Sequence, residues 1–148
     1  YAEICQVKAT IYQRQGDFSA AEKELRRALD KQEKISDIKG IAYTTFQFFI
    51  LSVLRGEPNS IWWDKATQST VAALLLPDLA EEHRGNFLHN LAFLSQSISD
   101  YYNALDTYRS ALVCRQKARD KRGEALTYAR MAECYLALGD FKSAIQYA

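Results

Sequence analysis

Seven acidic residues recur along this chain at intervals close to twenty: Asp17, Asp37, Glu57, Asp78, Asp100, Asp120 and Asp140. Each stands at a break between two stretches whose apolar residues repeat with helical spacing. A break about every twenty residues is the spacing of short antiparallel helices in a row, and two such helices make a unit of about forty. The ladder therefore restricts the chain to stacked helical hairpins.

The chemistry at the breaks carries the same message. Gly16-Asp17-Phe18-Ser19-Ala20-Ala21 and Gly139-Asp140-Phe141-Lys142-Ser143-Ala144 share Gly-Asp-Phe-x-x-Ala, and Ser99-Asp100-Tyr101-Tyr102-Asn103-Ala104 keeps the frame with Ser for Gly. Glycine takes a positive φ just past a helix end. Aspartate then accepts from the free N–H groups that open the next helix. A second junction, Asp37-Ile38-Lys39-Gly40 and Asp120-Lys121-Arg122-Gly123, alternates with the first. Capping accounts for all seven acids, so none is needed as a catalytic or calcium-binding carboxylate. The pattern predicts eight helices, over 2–15, 18–35, 38–55, 60–76, 78–97, 101–118, 121–138 and 141–148, with Ser60 capping the fourth. No segment alternates at period two. The third and fourth helices depart from the rest. Phe49 stands where other hairpins have a small Ala, which predicts a wider separation or a different crossing there. Trp62 and Trp63 are adjacent, so a helix points them about 100° apart, and only one is expected in the core.

Composition bounds the function. With 148 residues, 48% apolar and 25% charged, the chain is long enough for a real core and ordinary for a soluble fold. Lys and Arg number 19 against 18 Asp and Glu, which removes the electrostatic case for nucleic acid or an anionic membrane surface. The basic clusters at 26–27 and 117–122 are interleaved with acids and read as solvated helix faces. Cys5, Cys114 and Cys134 are odd in number and lack metal-type spacing, so reduced thiols and a cytoplasmic location are expected. No apolar run is long enough to span a bilayer, and no signal peptide is visible. A start at Tyr1 and an end at Ala148, inside a helix pattern, read as a fragment of a longer protein. His83 and His89 are six apart and do not share a helix face, so no metal pair is expected. There is no nucleophile–base motif or phosphate loop, so neither catalysis nor a cofactor is expected.

The residues between the breaks share a further pattern. The last repeat carries Tyr128-x-x-Met131-Ala132-x-x-Tyr135, then Gly139-Asp140-Phe141 and Ala144. The first carries Cys5-x-x-Lys8-Ala9-x-x-Tyr12, then Ala21-x-x-x-Leu25 and Ala28. The third carries Leu88-x-x-Leu91-Ala92-x-x-Ser95, then Ala104-x-x-x-Tyr108 and Ala111. The second, from Tyr43 to Ala73, is degenerate. The pattern resembles the tetratricopeptide repeat. The spacing is similar to the long, roughly forty-residue variety of kinesin light chains, cell-polarity adaptors and bacterial regulators rather than the common 34-residue repeat.

The resemblance implies one all-α domain over 1–148, a right-handed α-solenoid of about four antiparallel helix hairpins with the last truncated (2–36, 38–76, 78–119 and 121–148). In that family the first helix of each hairpin lines a concave groove. The matching residues here are Gln6, Thr10 and Gln13; Tyr43, Phe46, Gln47 and Ile50; His89, Asn90, Phe93 and Gln96; and Glu133. The implied function is a non-enzymatic module that binds a peptide or helix of a partner protein. The family's chaperone-type carboxylate clamp uses Lys and Asn where Gln6 and Thr10 stand, which argues against that partner. The alternative is a sensory or regulatory segment of a multidomain regulator, taking a small ligand, a signalling peptide or its own flanking helix.

Overall fold

A computed structural model describes residues 1–148 as eight α-helices without a strand. They are α1 (Ala2–Arg14), α2 (Phe18–Lys34), α3 (Ile38–Leu54), α4 (Ser60–Leu74), α5 (Glu81–Ser97), α6 (Tyr101–Lys117), α7 (Lys121–Ala137) and α8 (Phe141–Tyr147). The chain divides into two compact units, Tyr1–Ala73 and Leu74–Ala148.

Most of the short turns use a single acid for two tasks. The N–H of Asp17 bonds back to Tyr12 O at 2.9 Å, closing α1, while its carboxylate accepts from Ala20 N at 3.0 Å, opening α2. Asp37, Asp100, Asp120 and Asp140 do the same with Gly40, Asn103, Gly123 and Ser143. The residue before each acid is left-handed: Gly16, Ser36, Ser99, Arg119 and Gly139 have φ between 54° and 78°. A helix therefore stops and restarts within two residues, which is what spaces the ladder.

Two members of the ladder depart from the capping role expected of them. Glu57 closes α3 through Ser52 O at 3.0 Å but caps nothing. Pro58 and Asn59 follow, and Asn59 Oδ1 accepts from Ile61 N and Trp62 N at 2.9 and 3.2 Å, so Asn59 rather than Ser60 opens α4. Asp78 lies in the turn after Pro77 with φ 56°, and α5 begins only at Glu81, after an extended Ala80 without a side-chain cap. The shift from 78 to 81 has a local cause: Pro77 breaks the pattern, and Asp tolerates the left-handed region better than most residues.

The first unit's core gathers Ala9, Ala21, Leu25, Leu29, Phe48 and Leu51, with Trp62 packed against it. Phe48 and Trp62 stack with centroids 3.9 Å apart and planes at 4°, so α3 and α4 meet through large rings. Phe49 is itself buried. The second unit's core gathers Ala92, Ala104, Leu105, Tyr108, Leu112, Met131 and Cys134. The same frame recurs in both units 83 residues apart, with Asp17 answering to Asp100 and Asp37 to Asp120. Gln32 and Arg115, both buried, hold one equivalent place in α2 and α6. Each lies against the glycine that opens the next helix. A Cβ on Gly40 would lie 2.7 Å from Gln32 Nε2 and would strike the Asp37 carboxylate; one on Gly123 would strike Asp120 and the Arg115 guanidinium. These glycines are required by close approach, not by an unusual φ.

Candidate functional site

In the first unit α1 turns Cys5 and Ala9 into the core. Helical geometry then places Glu3, Gln6, Val7 and Thr10 on a different face. In α3 the burial of Ala42, Thr45, Phe48 and Phe49 leaves Tyr43, Phe46, Gln47 and Ile50 half-buried on a stripe of the same spacing. The two stripes are in matching register forty residues apart. Between them lies an open concavity of about 330 Å³ lined by Glu3, Gln6, Val7, Thr10, Tyr43, Phe46 and Gln47.

Its floor is fixed by hydrogen bonds. Gln6 Nε2 donates to Thr44 Oγ1 at 2.8 Å, and Thr44 Oγ1 donates to the buried Gln32 Oε1 at 2.7 Å, which ties α1, α3 and α2 together. Thr10 Oγ1 donates to Gln6 O at 3.1 Å. Gln47 Oε1 is buried and accepts from no group of the protein. The lining holds one carboxylate, Glu3, and no His, Cys or Lys. Its walls are aromatic and aliphatic, with amides and a hydroxyl among them, and it lacks the groups that nucleophilic or metal chemistry would need.

The second unit fills the corresponding place with its own side chains. On α5 and α7, Arg130 lies over the Phe93 ring at 5.0 Å and pairs with Glu133 at 3.0 Å. Gln96 Nε2 donates to Glu133 Oε2 at 3.0 Å, and Gln96 Oε1 accepts from Tyr108 at 2.7 Å. Asn90 is half-buried beside them. His89 is different: it is 7% exposed, its Nδ1 is 2.9 Å from Thr127 Oγ1, and it meets Tyr108 edge-on at 5.2 Å. Desolvation, followed by Arg115 and Arg130, lowers its pKa to about 3, so it is a neutral core residue.

The structure thus brings Gln6, Thr10, Tyr43, Phe46 and Gln47 together in one unit, with Ile50 further along the α3 stripe. It brings Phe93, Gln96 and Glu133 together in the other, with His89 beneath. Sequence reasoning missed Glu3, Val7 and Arg130. The forty-residue register pairs Glu3 with Tyr43 and Val7 with Gln47, and the 83-residue register pairs Arg130 with Gln47, so the signal was present but unused.

All three thiols are buried. Burial raises the Cys5 thiol and pushes those of Cys114 and Cys134 up to about 11, which keeps them protonated and poor nucleophiles. No cluster of three or more metal-ligating side chains is present, and no helix is long and apolar enough to cross a membrane.

Paired helices in a recurring frame, with a face built from first helices, define a helical-repeat protein. Tetratricopeptide repeat models match residues 2–33 and 84–148, together well over half of the chain. The chain belongs to the tetratricopeptide repeat family. Among solved structures it is similar to a Signal Transduction ATPase with Numerous Domains (STAND) protein with a tetratricopeptide repeat sensor from Pyrococcus horikoshii, at 20% identity and a TM-score of 0.70. It is also similar to BtubC (BKLC) from P. vanneervenii, at 18% and 0.71, and to the nearly identical TPR-like repeats of a candidate kinesin light chain from Podosopora anserina, at 16% and 0.72. These similarities cover 98–99% of this chain, but 22%, 60% and 70% of the other three. The chain therefore spans about a fifth of the length of the first and 60% of that of the second. No curated protein matches.

Proposed function

We propose that this chain is a non-enzymatic interaction module that holds a segment of a partner protein against α1 and α3. Tetratricopeptide repeats in general mediate protein–protein interaction. The observation that carries the reading is the open concavity between α1 and α3, where Val7, Tyr43 and Phe46 stand beside Gln6, Thr10 and Gln47. An extended peptide supplies backbone N–H donors at regular intervals, and Val7, Tyr43 and Phe46 offer surface for an apolar side chain beside one of them. Function as one repeat domain of a longer cytoplasmic protein belongs to the same proposal.

Selection of a random peptide library on the immobilised chain tests it. Enriched peptides are expected to bind at least about tenfold more weakly to Phe46→Ala, a loss typical of an anchoring aromatic. Enriched peptides that bind Phe46→Ala with undiminished affinity would refute the site.

The STAND neighbour, whose tetratricopeptide repeats are described as a sensor, favours a second reading: a regulatory segment that takes a small ligand, a signalling peptide or a flanking helix of its own protein. In the full-length parent that reading expects Phe46→Ala to change the output of another domain with no added partner.

A further inference from the structure

Two exposed apolar faces, one in each unit, are the halves of a single helix–helix contact, and the internal repeat shows which contact it is. Within each unit a first helix packs against the second helix that precedes it: α3 against α2, and α7 against α6. On α3, Thr44 bonds to Gln32 of α2, Phe48 lies under Arg26 of α2, and Leu51 shares a core with Leu25 and Leu29. The equivalent residues of α7, Thr127, Met131 and Cys134, are buried as well.

The forty-residue register maps Thr44, Phe48 and Leu51 onto Ile4, Lys8 and Ile11 of α1. Ile4 is 61% exposed and Ile11 49%. The matching residues of α5, Phe87 and Leu94, are buried. On α1 alone, then, two isoleucines stand uncovered at places that every other first helix buries. Lys8 lies between them, where its stem can follow the stripe while the ammonium stays in water. Neither isoleucine lines the α1–α3 concavity, so this face is separate from the function proposed above.

The complementary half is on α8. Phe141 and Ile145 answer to Tyr101 and Leu105 of α6, and to Phe18 and Glu22 of α2. In α2 these places meet the next first helix: Arg55, at the end of α3, lies over Phe18 and pairs with Glu22. In α6, Leu105 is buried in one core with Cys134 of α7, and Leu138 packs against it. On α8 the same places hold a phenylalanine and an isoleucine that are 63% and 77% exposed. Single apolar side chains on a surface are ordinary, but these stand at the places by which a second helix grips the first helix after it.

We propose that the chain associates with further copies of itself, α8 of one copy docking on α1 of the next as α2 docks on α3. The register sets the pairing: the end of a first helix meets the opening turns of a second. Ile11 and Gln15 of one copy, the counterparts of Leu51 and Arg55, therefore face Phe141 and Ile145 of the other. A second copy is the occupant because this chain carries both halves of the contact, each apolar where the other is. The contact is heterologous, so every copy added brings a new free face.

Sedimentation velocity of the purified chain reads the association. Two turns of helix make a small interface, so the average mass should stay near the monomer's at about 10 μM and exceed it at about 1 mM. Ile11→Glu and Ile145→Glu, both exposed substitutions, should each weaken association at least about tenfold while circular dichroism stays unchanged. An equimolar mixture of the two variants should associate again and stop at the heterodimer, because one keeps the α8 face and the other the α1 face. A monomer at the higher concentration, undiminished association in either variant, or no recovery in the mixture would each overturn the proposal. Loss with Ile11→Glu but not with Ile145→Glu would mean that α1 pairs with α1 of another copy, and would overturn it too.

Discussion

His89 makes folding sensitive to mild acid, and the sign follows from its surroundings. In the unfolded chain its imidazole titrates at the ordinary 6.5; in the folded chain the value is about 3, because charging it would strand a cation among Tyr108, Thr127, Arg115 and Arg130. Above pH 6.5 both states are neutral and the stability is fully present. As pH falls from 6.5 towards 3 the unfolded chain binds a proton that the folded chain refuses, so stability is lost progressively; below 3 the loss stops growing. At about 1.36 kcal/mol per unit of pKa difference, lowering the pH from 7 to 4.5 removes about 2–3 kcal/mol through this residue alone. For a chain of this size that is a fall in melting temperature of about 5–10 °C. Carboxylates titrate in the same range, so the informative quantity is the difference between wild type and His89→Gln, which keeps an amide opposite Thr127 and removes the titration. Thermal melts of both at pH 7 and 4.5, followed by circular dichroism, measure it. Wild type should lose more than the variant by that amount. Identical acid sensitivity would mean that His89 is protonated in the fold, and the account of its burial would be wrong.

Three further outcomes are expected. Gly40→Ala and Gly123→Ala should each lower the urea-derived stability by about 1–3 kcal/mol, against the roughly 1 kcal/mol that helix propensity alone would add, because the new methyl meets Asp37 and Gln32 or Asp120 and Arg115. Ala92→Leu should cost about 1–3 kcal/mol through overpacking of a fully buried place, and Ala132→Leu clearly less because that place is half-buried; equal melting temperatures would contradict the packing. Asn59→Ala should cost about 1 kcal/mol in chemical denaturation while Ser60→Ala stays within the noise, since Asn59 caps α4.

The fold was legible in the sequence because its punctuation is local. An Asp that closes one helix and opens the next leaves the same dipeptide frame at most turns, and only the two turns around α4 escaped. There the acids are present but displaced: Asn59 takes over the cap from Ser60, and Pro77 moves the start of α5 to 81. The site was less legible because a stripe at helical spacing does not say which side of it is covered. Tyr43, Phe46, Gln47 and His89 were grouped by register. Yet His89 is buried by Thr127 and Tyr108, residues 38 and 19 positions later, and no local pattern announces that contact. Glu24, Gln32 and Arg115, charged or polar and buried, escaped for the same reason.

The two units obey one frame, yet they differ in where each keeps an arginine. In the first, position 55 carries it, between α2 and α3, and position 47 is a glutamine facing an open concavity. In the second, the equivalent of position 55 is Leu138 beside an open cleft, while the equivalent of position 47 is Arg130, laid over Phe93 and pinned by Glu133. A guanidinium is large and planar, and its stem packs as readily as its head pairs. One such side chain is therefore enough to cover a groove that the backbone frame creates in every repeat. On this reasoning the capping acids and small residues decide that there are grooves at all, and the residue at position 47 or its equivalent decides whether the groove between first helices is open. Gln47→Arg should accordingly cover the first unit's concavity and Arg130→Gln should uncover the second unit's, without either touching the residues that set the turns.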